Sequence, residues 1–443
     1  MPAQSLSLNA PTDIDITQAT AQSGNKPERL RWFGDLALGL FIHWSLDVQL
    51  GMVISHSLVG ASPDYVERYL TELPGTFCPN RFDPDEWARL AKVSGFRYVV
   101  FTTKHHNGFC MFETATTDFS VMHTPFGQDI TRRVIEAFRR QGLGIGLYFS
   151  PDDFSVLRRQ GIDIARNRPE VDPINNPELM AINRAQIREL LSNYGPIDLI
   201  FFDGQPEGLK QLAWELQPDI VVTRGDIATP EQHVPDAPLP MPWESCITMG
   251  TAWQYQPTNE TYKSGRELIE MLAETRAKGG NLLLNVGPKA DGELPAEQTG
   301  LLMELGLWNF VNGEAIFGSR PWQVTREDGV WYTRAPEDDT VYAIITDVAW
   351  GDSEAAAHSW AKGERIYGRR ASFTLHRVRA TADTQIQLLG QTGRHLEYRD
   401  NIDPRPRWSQ DDDGLHITVM SAQRIYDMWG WTNPIVVKIT HAA

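Results

Sequence analysis

The stretch Ile197-Asp198-Leu199-Ile200-Phe201-Phe202-Asp203-Gly204 decides the reading of this chain. An apolar strand runs straight into a carboxylate and then a glycine turn, which is how a parallel barrel presents a reactive group at the C-terminal end of a strand. Short apolar runs of the same kind recur to either side, at Gly39 to His43, Tyr98 to Lys104, Ile145 to Ser150, Asp198 to Asp203, Ile220 to Arg224, Trp243 to Thr248 and Asn281 to Val286. Between them lie amphipathic segments, Asp85 to Ser94, Ile130 to Gln141, Pro177 to Tyr194, Gly265 to Lys278 and Ala296 to Asn312, with Asp83-Pro84 and Asn176-Pro177 as helix starts. Alternating strands and helices predict an α/β fold, a (β/α)8-like and distorted TIM barrel in which one of eight strands is not evident.

After about Gly318 the pattern changes to alternating apolar and polar residues, as in Thr340-Val341-Tyr342-Ala343-Ile344-Ile345 and Ile435 to Thr440. This predicts an antiparallel C-terminal β-sandwich. The expected division is a polar, aperiodic leader over residues 1–26, a catalytic barrel over 27–318 and a sandwich domain over 319–443. Residues between Val156 and Pro177 are polar and irregular, and are expected to form a loop over the barrel mouth.

Composition narrows the function. The 443 residues, 41% hydrophobic, can bury a large core, and a net charge of −16 argues against nucleic acid or an anionic membrane as partner. Fourteen tryptophans suit a neutral sugar, whose apolar face packs on flat aromatic rings. Cys78, Cys110 and Cys246 have neither disulfide nor zinc spacing. The N-terminus has no basic and apolar segments of a signal peptide, which predicts a cytoplasmic protein, or a periplasmic or secreted one if a signal was removed.

The expected strand ends collect an unusual set: His43, the run Lys104-His105-His106-Asn107-Gly108, Tyr148, Asp203, Arg224 and Glu244. One such histidine alone reads as structural, but six strands agreeing on one end read as a site. Two carboxylates on strand ends suggest glycoside cleavage, with Asp203 as nucleophile and Glu244 as acid and base. Taken singly, Asp203 also fits a helix N-cap and Glu244 a rim salt bridge. A metal is not expected, because adjacent histidines in an extended strand point to opposite faces and no His-x-His occurs.

These motifs resemble the α-L-fucosidases of glycoside hydrolase family 29. The matching stretches are Trp32-Phe33-Gly34-Asp35, Gly39-Leu40-Phe41-Ile42-His43-Trp44, Thr103 through Phe109, Gly195-Pro196-Ile197-Asp198 through Gly204, Trp243-Glu244-Ser245-Cys246, Trp253-Gln254-Tyr255, Gly279 through Pro288 and Asn312-Gly313-Glu314-Ala315. The resemblance implies a retaining exo-hydrolase that releases terminal α-L-fucose from a fucosylated oligosaccharide or glycoconjugate through a covalent intermediate, with no cofactor. It puts Asp203 at the nucleophile position and Glu244 at the acid/base position, with His43, His105, His106, Tyr148, Arg224 and Trp253 lining the sugar pocket. Phe41 or Trp253 would face the sugar's methyl group. Two departures stand out. The family's Glu-Trp pair after the first strand is absent from Met52-Val53-Ile54-Ser55-His56-Ser57-Leu58-Val59-Gly60, where His56 reads either as the substitute or as a buried structural histidine, and Asn107 replaces an Asp. These departures leave room for a related sugar such as α-L-galactose, and a non-catalytic carbohydrate-binding protein on the same scaffold is the alternative of a different class.

Overall fold

The computed structural model describes residues 23–351, 358–360, 363–365, 369–391, 402–421 and 432–442, so residues 1–22 of the expected leader lie outside it. The described residues fall into two compact units, the chain passing from one to the other after Lys263, Gly279 and Met303.

In the first unit, helix α1 (Pro27–Leu36) leads into β1 (Leu38–Ile42). The chain continues through α2 (Pro63–Thr71), α3 (Pro84–Val93), β2 (Tyr98–Lys104), α4 (Ile130–Arg140), β3 (Gly144–Phe149), α5 (Phe154–Arg159), α6 (Pro177–Asn193), β4 (Leu199–Phe202), α7 (Lys210–Leu216), β5 (Val221–Val222) and β6 (Glu244–Thr248). Helix α8 (Gly265–Ala277) belongs to the second unit, and the first resumes with β7 (Asn281–Val286) and the start of α9 (Ala296–Asn312). The two helix starts read from sequence are capped as their residues require. The Asp83 side chain accepts from the Asp85 and Glu86 amides, and Asn176 accepts from Leu179, each cap contributing about 1 kcal/mol.

The seven strands are parallel and ordered β5-β4-β3-β2-β1-β7-β6, and they form the (β/α)8-like half of the fold. All residues of β2, β6 and β7 are buried, as strands of a parallel sheet usually are. The interior is packed by Phe41, Tyr98, Val100, Tyr148, Leu199, Phe201, Cys246 and Leu283, with Phe33 of α1 against them, so it is a core rather than a pore. Gly39 permits this packing, since a Cβ there would collide with the Tyr98 ring.

The strand that the sequence did not disclose is replaced by an irregular extended segment over residues 228–232. It pairs in parallel with β6 through Glu244 N to Ala228 O, Cys246 N to Pro230 O and Gln232 N to Cys246 O, all 3.0 Å. Pro230 has no amide hydrogen, so the ladder is broken and no regular strand forms. The end of the expected leader is anchored: the buried Asn25 donates to Val222 O at 2.9 Å and accepts from Val222 N at 2.8 Å. The expected mouth loop between Val156 and Pro177 contains the end of α5 and two short 3-10 turns, Pro169–Val171 and Pro173–Asn175.

The second unit carries β8 (Arg320–Glu327), β9 (Val330–Arg334), β10 (Val341–Ile345), β11 (His358–Trp360), β12 (Gly363–Arg365), β13 (Arg370–Leu375), β14 (Ala380–Leu388), β15 (Arg407–Gln410), β16 (Leu415–Met420) and β17 (Ile435–Ala442). An antiparallel sheet ordered β14-β17-β10-β9-β8 and another ordered β13-β16-β15 share one core. Tyr332, Ala343, Leu388, Val437 and Ile439 from the first meet Leu375, Leu415, Ile417 and Val419 from the second, which is the β-sandwich. Helix α8 packs on β8 and β9, and its buried Arg276 donates to Ser319 O at 2.9 Å. Among the described residues no helix is long and apolar enough to cross a membrane.

Candidate active site

Asp203 follows the last residue of β4 and is held by its neighbours at the C-terminal ends of the strands. Tyr148 Oη donates to Oδ2 at 2.7 Å, Arg224 Nη1 donates to Oδ1 at 3.1 Å, and His106 Nε2 lies 3.4 Å from Oδ2. Gly204 makes the turn with φ +145, and a Cβ there would lie 2.7 Å from Asp152 Oδ1. Burial alone would raise the Asp203 carboxyl. The hydrogen bond from His106 and the charges of His106, Arg224 and Arg166 outweigh burial and hold it well below the usual carboxylate range. Asp203 is therefore a fixed anion, yet its side chain keeps 16% exposure toward the mouth.

Around it His43, His105 and Tyr148 are neutral. Burial brings His43 down to about 3, and its Nδ1 pairs with Asn285 Oδ1 at 2.6 Å. Burial, with the nearby His106 and His43, also keeps His105 well below its usual value; its Nδ1 meets Ser55 Oγ at 2.7 Å. Burial and the Asp203 charge keep the Tyr148 phenol protonated as a donor, and its ring stacks on His105 with centroids 5.2 Å apart. The Trp253 ring is 4.8 Å from His43 and 5.9 Å from Phe41. Uncharged donors and acceptors beside an apolar wall suit a neutral polyol with one apolar edge.

The expectation about adjacent histidines is corrected. Strand β2 ends at Lys104, and the turn closed by Gly108 N to His105 O at 2.9 Å brings both rings to one side, centroids 4.3 Å apart. His105, His106 and Asp203 offer ligand atoms within 4.8 Å of one another. Asn107 is fully buried and binds Ser45 Oγ at 3.0 Å and Tyr69 Oη at 2.9 Å, while its amide donates to Ser55 Oγ at 2.9 Å. It braces the loop that holds His105 instead of facing a ligand. His56 lies on that loop, exposed, with its ring 5.7 Å from His106 and 6.4 Å from His105.

Glu244 is also corrected. It is the first residue of β6, at the N-terminal end of the strand, fully buried, with Oε2 accepting from Tyr98 Oη. Tyr98 opens β2 and packs against Phe33 of α1. Glu244 thus belongs to the barrel floor, at the N-terminal end of its strand and not at the expected C-terminal end. The carboxylate that does accompany Asp203 is Glu231, on the irregular segment after β5. Arg224 Nη1 donates to Glu231 Oε2 at 3.0 Å as well as to Asp203, so the two carboxylate oxygens lie no more than about 6.1 Å apart. The Glu231 side chain keeps 25% exposure. Arg224 is fixed further by Thr229 Oγ1 at 3.0 Å and Cys246 Sγ at 3.4 Å, and its guanidinium lies over the Phe201 ring. No periodic pattern marks Glu231. The available signal was a carboxylate in the loop between the fifth and sixth strands, on the mouth side.

The alpha-L-fucosidase family model matches residues 6–314. The plasma alpha-L-fucosidase of Rattus norvegicus is 27% identical over 90% of this chain and 90% of its own. The structure of alpha-L-fucosidase isoenzyme 1 from Paenibacillus thiaminolyticus is similar with a TM-score of 0.72 at 27% identity, covering 93% of this chain and 98% of that one. A Bacteroides thetaiotaomicron GH29 alpha-L-fucosidase, described as a trapped covalent intermediate with 2-fluoro-fucosyl fluoride, has the same fold: TM-score 0.71, 21% identity, 95% of this chain and 97% of that one. With a match spanning most of the chain, and carboxylates, guanidinium and imidazoles gathered at the strand ends, the protein belongs to the alpha-L-fucosidase family and is a glycoside hydrolase of that kind.

Proposed function

We propose that the enzyme is a retaining exo-α-L-fucosidase acting on fucosylated oligosaccharides or glycoconjugates, with Asp203 as nucleophile and Glu231, in place of Glu244, as acid and base. The observation that carries this reading is the single Arg224 nitrogen shared by both carboxylates. One shared donor keeps the two carboxylates close, which supports the about 5–5.5 Å spacing of a retaining pair over the roughly 6.5–9.5 Å of an inverting one.

In this mechanism the Asp203 anion attacks the anomeric carbon as Glu231 gives its proton to the departing oxygen. Glu231 then takes a proton from water, which displaces Asp203 and releases the sugar with its original configuration. Tyr148 and Arg224 orient Asp203. His43 and His105, each with Nδ1 engaged, offer Nε2 to the sugar hydroxyls, His106 is held between Ser150 and Asp203, and Trp253, beside Phe41, faces the methyl group. The covalent intermediate of the Bacteroides relative supports the double displacement. The test is hydrolysis of p-nitrophenyl α-L-fucoside followed by proton NMR: α-fucose must appear first, and β-fucose first would refute retention.

The His56 loop favours a second substrate reading. Because the Glu-Trp pair is missing, hydroxyl recognition falls to a different side chain, and α-L-galactose differs from fucose by one added hydroxyl. A pocket built for a methyl group discriminates only about a hundredfold against such an addition. Comparing kcat/KM for the two p-nitrophenyl glycosides decides which sugar is preferred. We further propose residues 27–318 as the catalytic part and 319–443 as an accessory sandwich domain.

A further inference from the structure

The loop between β1 and α2 carries more than His56. Leu50, Met52, Val53 and Val59 are 42%, 40%, 45% and 40% exposed, an unusual concentration of bare aliphatic surface. Residues 48–63 contain no Asp, Glu, Lys or Arg in a protein of net charge −16. Apart from His56, the glutamine and serine side chains of this loop next to the pocket are already committed. Gln49 Nε2 donates to Leu46 O at 2.9 Å, Ser57 Oγ accepts from Tyr65 Oη at 3.1 Å, and Ser55 Oγ meets His105.

The loop is also held in place beside the pocket. Ser55 adopts φ 62, a left-handed backbone that costs a serine about 1–3 kcal/mol. Its amide donates to the buried Asp47 Oδ2 at 2.6 Å, which fixes that conformation. Gln254 Nε2, one residue beyond Trp253, donates to Met52 O at 2.9 Å, and Gly60 N donates to Ile164 O at 3.2 Å. Met52 is thus tied to the Trp253 segment, and the chain runs from it through Val53 to His56, beside His105 and His106.

An exo-acting enzyme holds the terminal sugar inside and lets the rest of the substrate leave past this loop. We infer that Leu50, Met52, Val53 and Val59 form a binding surface for an apolar aglycone, aryl or alkyl. A second sugar fits less well, because it would need several hydrogen-bonding groups, and on this loop only His56, beside His105 and His106, offers one. This inference rests on the reading of the reaction proposed above.

The test measures kcat/KM for α-L-fucosyl fluoride, for aryl α-L-fucosides of equal leaving-group acidity but growing apolar area, and for a fucosyl disaccharide, in wild type and in Met52→Ser/Val53→Ser. Both side chains are exposed, so the variant should fold. The expected result is a wild-type preference that climbs with apolar area, and an aryl-to-fluoride ratio that drops about tenfold in the variant. An unchanged ratio overturns the inference, as does an equal or larger loss on the disaccharide. If the wild type turns over no fucoside, the reaction reading fails and the loop is judged by calorimetric binding of 4-butylphenol. Loss of that binding in the variant supports an apolar surface, and retention overturns it. Wild-type dimers that the variant converts to monomers in sedimentation would assign the patch to a second copy, and would also overturn it.

Discussion

At the mouth of the barrel, Asp203 keeps its charge because His106, Arg224 and Arg166 outweigh its burial. At the floor, burial pushes Glu244 up to about 7 against the hydrogen bond from Tyr98 and the distant charge of Arg224. The two carboxyl groups are carried by strands of one sheet, yet their environments differ in the number of partners. Asp203 has two strong donors and a third group within 3.4 Å, whereas Glu244 has a phenol. Hydrogen bonds to a charged group contribute about 1.5–3 kcal/mol each, so two or three can offset a desolvation that one cannot. Polar groups at the C-terminal strand ends serve chemistry and those at the opposite end serve the core.

The largest effect belongs to the mouth. Asp203→Asn should reduce kcat/KM on p-nitrophenyl α-L-fucoside by on the order of 10⁴-fold without loss of the folded state, as seen by circular dichroism. Turnover within tenfold of wild type would remove Asp203 from the nucleophile role. Next comes the pair of glutamates. Glu231→Gln should cost on the order of 10²–10³-fold on a fucoside with a poor leaving group and much less on the p-nitrophenyl compound, which needs no proton. Glu244→Gln should change both by less than about threefold. The reverse ranking would return the acid role to the floor and break the comparison.

The floor is better examined through stability. Folded Glu244 keeps its proton to about pH 7, while the unfolded side chain releases it near 4.5. The folded state therefore binds more protons between these values, and its stability is full at low pH and falls as pH rises through 7. Between pH 5 and 8 the loss is roughly 2–3 kcal/mol. Glu244→Gln keeps an acceptor for Tyr98 and removes the titration, so it should be more stable than wild type at pH 8 and little different at pH 5. Urea denaturation at both values reads this, and parallel pH dependence in wild type and variant would show that Glu244 stays ionised.

Much of this was legible in the chain. Strand β2 over Tyr98–Lys104 and β7 over Asn281–Val286 coincide with the expected ranges, because each is a continuous apolar run between polar boundaries. The helices begin where Asp83-Pro84 and Asn176-Pro177 say they should. The errors have physical causes. Residues 228–232 escape a strand reading because Pro230 interrupts both the pattern and the ladder, and Glu231 was hidden with them. Glu244 was misjudged because an apolar run discloses a strand but a carboxylate's role depends on which end it occupies. His105 and His106 share a face because the strand stops one residue before them, and period-two reasoning stops there too.

The smallest expected effect falls on the edge of the mouth, where His56 stands on the loop that departs from the family pattern. Its ring is exposed and near His105 and His106, so it can reach a sugar hydroxyl but has no part in orienting Asp203. A neutral hydrogen bond contributes about 0.5–1.5 kcal/mol, so His56→Ala should lower kcat/KM for the fucoside about three- to tenfold, mostly through KM. If His56 meets ring hydroxyls that both sugars share, the fucoside and the α-L-galactoside lose activity together and their ratio holds. A loss confined to the galactoside would put His56 at the methyl end of the sugar and make it the determinant of that choice. No loss on either would leave the hydroxyls to His43 and His105, and sharpen the division of the mouth into a fixed interior and an edge that varies.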